Sequence, residues 1–114
     1  MDNSRLLNVN KPITLAKFLK ELSLQRDAEI RKMSIEELIS VKLPKKNIEI
    51  YDSFGNEIYD SDLTGNLISD FELFEHLDDQ VKKAYETDYG DYLLIEIFLD
   101  KNWIRYRTLH KFYI

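Results

Sequence analysis

Residues 47–65, NIEIYDSFGNEIYDSDLTG, constrain the fold of this chain more than any other stretch. Ile48 and Ile50 alternate with polar neighbours, and Ile58 continues the pattern beyond Phe54-Gly55-Asn56. A period of two is what a strand with one buried face requires, and Gly and Asn accept the dihedral angles of a tight turn. The segment is expected to be a β-hairpin with Ile48, Ile50 and Ile58 on its core face. It opens directly into a run of carboxylates, so the same stretch that seeds the core begins the most acidic part of the chain.

Helix signals precede the hairpin. Thr14 suits an N-cap, Leu15, Phe18, Leu19 and Leu22 follow at helical spacing, and Ile13 is placed to pack on Phe18 as a hydrophobic staple. This predicts a helix of about ten residues. Residues 24–33 are compatible with a strand or with a continuation of that helix. Ser34-Ile-Glu-Glu37 is a capping box, which predicts a second short helix ending before Pro44, because the residue preceding proline avoids helical dihedrals.

After the hairpin, Phe71, Phe74 and Leu77 recur at helical spacing. A helix over about 69–79 would bury them and leave Asp70, Glu72, Glu75, Asp78 and Asp79 outside. Residues 81–87 suit a helix extension or a strand; the turn signal Asp88-Tyr-Gly-Asp91 favours a strand with Val81, Lys83, Tyr85 and Thr87 on one face. Its partner would be Tyr92–Leu99, whose nearly continuous apolarity marks a central strand. After a turn at Asp100-Lys-Asn102, residues 103–114 alternate as a final strand docked in the sheet. The fold class expected is α+β: an antiparallel sheet of four to five strands with two to three short helices packed on it. One domain spans 1–114, with a helical part over about 13–43 and a hairpin-rich part over about 47–114.

At 114 residues the chain can bury roughly two-thirds of its unfolded surface without staples, and it contains no cysteine. Disulfides, thiolate zinc sites and a Cys nucleophile are therefore excluded. No leader-like basic and apolar pair opens the chain and no apolar run could span a bilayer, which predicts a cytoplasmic protein with no membrane association. The net charge of −5 hides strong blocking. Residues 1–46 carry ten Lys/Arg against six Asp/Glu, 47–100 carry two against fifteen, and 101–114 carry four against none. A central block this acidic disfavours direct nucleic-acid binding, which needs clustered cations, and suits a basic partner.

Three motifs point to chemistry. Asp60-Ser-Asp62-Leu-Thr64-Gly65 resembles the first half of an EF-hand calcium loop, but Phe71 stands where that loop needs its bidentate glutamate, so no metal is expected. His76 and His110 lack partners at metal-ligand spacing, and no hydrolase elbow, phosphate loop or zincin motif occurs; no catalytic residue and no cofactor are expected. Tyr85, Tyr89, Tyr92, Trp103, Tyr106 and Tyr113 interleave with Arg105, Arg107 and Lys111, a pattern that suits strand packing or a base-stacking platform.

ITLAKFLKEL, NIEIYDSFGNEIYDSDL and DYLLIEIFL together resemble small acidic proteins of phages and integrative elements of Gram-positive bacteria. In these a short helix precedes a segment of the form I-x-I-Y-D-x-x-G-x-E-I-Y. The resemblance covers about half the chain and implies a role in mobile-element biology, where such proteins block host defence complexes. The expected function is a non-enzymatic inhibitor that contacts the basic nucleic-acid-binding surface of a host nuclease such as a CRISPR effector. Asp60, Asp62, Asp70, Glu72, Glu75, Asp78 and Asp79 would make the contact, with Tyr89 as an aromatic anchor. The alternatives are a nucleic-acid binder using Arg105, Arg107, Lys111 and the N-terminal lysines, and a calcium-loop protein. The oligomeric state is left open.

Overall fold

The computed structural model describes residues 4–9, 12–32, 34–35, 45–63 and 71–100. Their regular elements are β1 (Ser4–Leu6), α1 (Leu15–Arg31), β2 (Lys45–Tyr51), β3 (Glu57–Asp62), a 3-10 helix (Phe71–His76), β4 (Val81–Asp88) and β5 (Tyr92–Leu99). The strands form one sheet in the order β1-β4-β5-β2-β3. Strand β2 runs parallel to β5, and the other three pairings are antiparallel. The α+β class holds, but the sheet is mixed rather than antiparallel. Among the described residues one α-helix and one 3-10 helix stand where two to three helices are expected. The helix expected after Ser34 lies, beyond Ile35, outside the described residues.

Helix α1 has 17 residues rather than about ten, which resolves residues 24–31 as helix. No Gly or Pro interrupts that span, so it propagates once nucleated. Thr14 caps it, accepting the Lys17 N–H at 3.3 Å. The next orphan donors find backbone partners across the fold: Leu15 N–H reaches the Asp79 carbonyl at 2.8 Å and Ala16 N–H the Leu77 carbonyl at 3.0 Å. Leu15, Phe18, Leu19 and Leu22 are buried, whereas Leu24 and Ile30 are exposed, so only the first half of the helix seals the sheet.

The turns expected between β2 and β3 and between β4 and β5 form; the turn expected at Asp100-Lys-Asn102 lies, beyond Asp100, outside the described residues. In the β2–β3 hairpin, Asp52 Oδ1 accepts the N–H groups of Phe54 and Asn56, both at 2.9 Å, and Gly55 takes φ +84°. In the β4–β5 hairpin, Asp88 Oδ1 accepts the Gly90 N–H at 2.8 Å. Two β-bulges correct the facing of residues. The β2–β3 register shifts at Ile50/Tyr51, so Tyr59 rather than Ile58 is buried opposite Ile50, and Ile58 is half-buried. The β4–β5 register shifts between Val81 and Lys83, which separates Val81 from Lys83, Tyr85 and Thr87; Val81 and Ala84 enter the core instead.

The core lies between α1 and one sheet face: Ile48, Ile50, Ile95, Ile97 and Leu99 meet Ile13, Leu15, Phe18, Leu19 and Leu22. Burying each such side chain contributes roughly 1.5–3 kcal/mol. The 3-10 helix closes this layer through Leu73, which is fully buried. A helix over 69–79 burying Phe74 is not what forms. A three-residue period aligns Leu73 with His76 and turns Phe74 outward, where it is 73% exposed. Asp79, expected outside, is only 5% exposed and meets His76 Nδ1 at 3.0 Å, because the chain must turn inward there to pair with the start of α1.

Strand β5 is flanked on one side by β4 and on the other by β2, so no further strand can pair with it directly. The final strand expected over 103–114 falls outside the described residues. None of the described helices is long and apolar enough to cross a membrane.

Candidate acidic binding face

Strand alternation sends Ile48 and Ile50 toward α1 and therefore sends Glu49 and Tyr51 to the opposite, outer face of the sheet. The same holds for β5, where Ile95 and Ile97 are buried and Glu96 and Phe98 are half-buried on the outer side. The parallel register then aligns the two strands residue for residue: Ile48 with Ile95, Glu49 with Glu96, Ile50 with Ile97 and Tyr51 with Phe98. Two copies of one pattern, Ile-Glu-Ile-aromatic, lie side by side at the centre of the sheet. One result is a stacked ring pair, Tyr51 on Phe98, with centroids 5.0 Å apart. The other is two carboxylates on neighbouring strands.

Strand β3 extends the acidic row. Asp60 pairs across from Glu49, and the bulge at Ile58 restores Glu57 to the outer face opposite Tyr51. Carboxylate oxygens of Glu49, Glu57 and Asp60 lie within 4.8 Å of one another. Asp62, two residues along, is exposed on the same side. Beyond the rings, Tyr85 meets Phe98 edge-on at 6.0 Å, and Lys83 Nζ sits 5.3 Å from the Phe98 centroid. The outer face thus grades from carboxylates on β3, β2 and β5 to aromatic rings and a lysine on β5 and β4.

Electrostatics distinguish this row from the other carboxylates. Glu29 on α1 is flanked by Lys46 at 3.1 Å and Arg26 at 3.2 Å. Burial alone would raise its pKa, but the hydrogen bonds and charges of those two cations outweigh burial and hold it below the usual value. Glu86 is paired with Arg5 at 2.9 Å. Among the described residues, no Lys or Arg forms an ion pair with Glu49, Glu57, Asp60, Asp62 or Glu96. Burial, and then the neighbouring charge of Glu49, push the Glu96 carboxyl above its ordinary value. Glu49 does have one donor: the Tyr51 hydroxyl, at 2.5 Å. That hydrogen bond, followed by burial and the charges of Glu49, Glu96 and Glu57, holds the Tyr51 phenol well above its ordinary value.

The residues expected to make the contact divide into two groups. Asp60 and Asp62 lie on the outer face and its β3 edge, and exposed Tyr89 stacks on Tyr92, centroids 4.9 Å apart, at the β4–β5 turn. Glu75 and Asp78 are exposed in the opposite layer, where the 3-10 helix packs beside α1, and Asp79 is buried there. Asp70 and the side chain of Glu72 lie outside the described residues. The carboxylates that join Asp60 are instead Glu49, Glu57 and Glu96. Their signal was present as the Ile-Glu-Ile tripeptide in both central strands, a glutamate set in otherwise apolar strand sequence. The calcium-loop pattern loses its geometry at its first two positions. Asp60 and Asp62 belong to a strand, which holds such residues about 6.8 Å apart along one face rather than converging on one ion.

Comparison of the chain with protein-family models, with curated proteins and with solved structures finds no significant match in any of the three.

Proposed function

We propose that the protein is a non-enzymatic binding protein whose outer sheet face docks on a basic surface of a partner. The observation that carries this reading is the row Glu96, Glu49, Asp60 and Glu57, assembled by register on one face with no ion-pairing Lys or Arg among the described residues. Like charges on adjacent strands destabilise a sheet by a few tenths of a kcal/mol or more per pair. A cationic partner surface removes that repulsion on binding, so the free protein's electrostatic cost becomes part of the driving force. Tyr51, Phe98 and Tyr85 add rings that a guanidinium can stack on. The cations such a face meets best are those that otherwise hold nucleic-acid phosphates, and the sequence resemblance points to the same class: a host defence nuclease, with a CRISPR effector as the case in view.

The test is capture from a host lysate with three baits: the wild-type protein, an outer-face variant (Glu49→Gln, Glu57→Gln, Asp60→Asn), and a helix-layer variant (Glu75→Gln, Asp78→Asn). The proposal expects a nucleic-acid-binding partner held by the first and third baits, lost with the second, and displaced by added DNA. Retention by the outer-face variant overturns it. So does a salt-sensitive gel shift of DNA by the protein alone, which would favour the cationic residues Arg105, Arg107 and Lys111 as the working surface.

A further inference from the structure

Among the described residues strand β3 ends the sheet, and no strand pairs with its outer edge. Leu63 N–H donates to the Lys46 carbonyl at 2.7 Å, which fixes the hydrogen-bonding phase of the β2–β3 ladder. Leu63, Ser61 and Tyr59 therefore turn their backbone groups toward β2, and the intervening Asp60 and Asp62 turn theirs away from the sheet. The Asp62 carbonyl accepts the Ser61 hydroxyl at 3.3 Å, an exposed contact; the other outward groups of Asp60 and Asp62 have no hydrogen-bond partner among the described residues. Two residues of open ladder, flanked by side chains of one charge, form an edge that can take another strand.

We propose that β3 binds its partner by strand addition, and that the added strand carries Lys or Arg at alternate positions. This rests on the reading of the outer face as a cation-binding surface and specifies how the partner is held. The alternation follows from the pleat. Residues of an added strand that share the outer face lie beside Glu57, Asp60 and Asp62, while those between them lie beside Tyr59 and Ser61. The charge also selects against a second copy of this chain. Any β3-to-β3 register that keeps the outer face continuous sets one acidic row against the other. A basic strand meets the opposite situation, with each lysine neutralising a carboxylate as the backbone bonds form.

The probes are two six-residue peptides of identical composition, one alternating lysine and valine, the other with three lysines followed by three valines. Amide hydrogen exchange and backbone NMR shifts of the full chain report on Asp60 and Asp62. The proposal expects the alternating peptide to slow exchange at both amides and to bind at least about tenfold more tightly than the block peptide. It expects that preference to vanish in an Asp60→Lys, Asp62→Lys variant. Equal binding of both peptides without amide protection overturns strand addition while leaving a cation-binding face. Failure of both peptides to bind overturns both readings. Protection of the two amides without peptide, together with sedimentation as a dimer, assigns the edge to a second copy and overturns the proposal.

Discussion

Replacing Glu96 by glutamine should stabilise the protein, and only where Glu96 is ionised. Glu96 and Glu49 are register partners on adjacent strands, which run about 5 Å apart. Two unit charges at that distance repel by about 0.8 kcal/mol in water and about 3.3 kcal/mol at an effective dielectric of 20. Both side chains are half-buried, so a value on the order of 1 kcal/mol is appropriate. Because the folded state raises the pKa of Glu96 above 4.5, folding is favoured by the protonated form. That contribution is complete below the unfolded value and is lost as pH rises through the folded one. Glu96→Gln keeps the size of the side chain and removes the titration. Urea denaturation should give a gain of about 1 kcal/mol at pH 7, equivalent to roughly 4 °C in Tm, shrinking toward zero as pH falls to about 4. A loss of stability at pH 7, or a difference that does not change with pH, would refute the assignment of Glu96 and Glu49 to one repulsive row.

Three further outcomes follow from the same geometry. In ultraviolet titration Tyr51 should ionise well above the ordinary tyrosine range, and Glu49→Gln should bring that ionisation down by removing the acceptor of the Tyr51 hydroxyl. Leu73→Ala should cost about 2–5 kcal/mol in chemical denaturation, since Leu73 is fully buried and anchors the 3-10 helix, whereas Phe74→Ala should cost under about 1 kcal/mol. Calcium at about 1 mM should leave Tm unchanged; a rise that disappears with Asp60→Asn would restore a calcium role for this segment.

Local chemistry made much of the fold legible. Gly55 and Gly90 sit at positive φ where two Asp-led turns demand them, and the apolar residues from Leu15 to Leu22 face the core as their spacing implies. What could not be read locally was set by pairing between distant segments. Nothing near Glu49 indicates that its neighbour will be Glu96, because β2 and β5 are brought together only after β3, the 3-10 helix and β4 have intervened. The bulges at Ile58 and between Val81 and Lys83 shift facing by one residue, which is enough to exchange Ile58 for Tyr59 in the core and to place Glu57 beside Asp60. Asp79 turns inward for the same reason. An aspartate in an acidic run looks solvated, but here its backbone serves the start of α1 and its side chain meets His76. Of the proposed binding face, the edge residues Asp60 and Asp62 are legible in sequence; Glu49 and Glu96, inside apolar strands, are concealed by their surroundings.

The most direct test of the cation-binding face is the salt dependence of affinity between the protein and its captured partner, measured for wild type and for Glu57→Gln/Asp60→Asn/Asp62→Asn. The account predicts wild-type binding that weakens as salt rises, a loss of at least about tenfold in the triple variant at low salt, and a shallower salt slope for that variant. Equal affinities and equal slopes for the two proteins would contradict it.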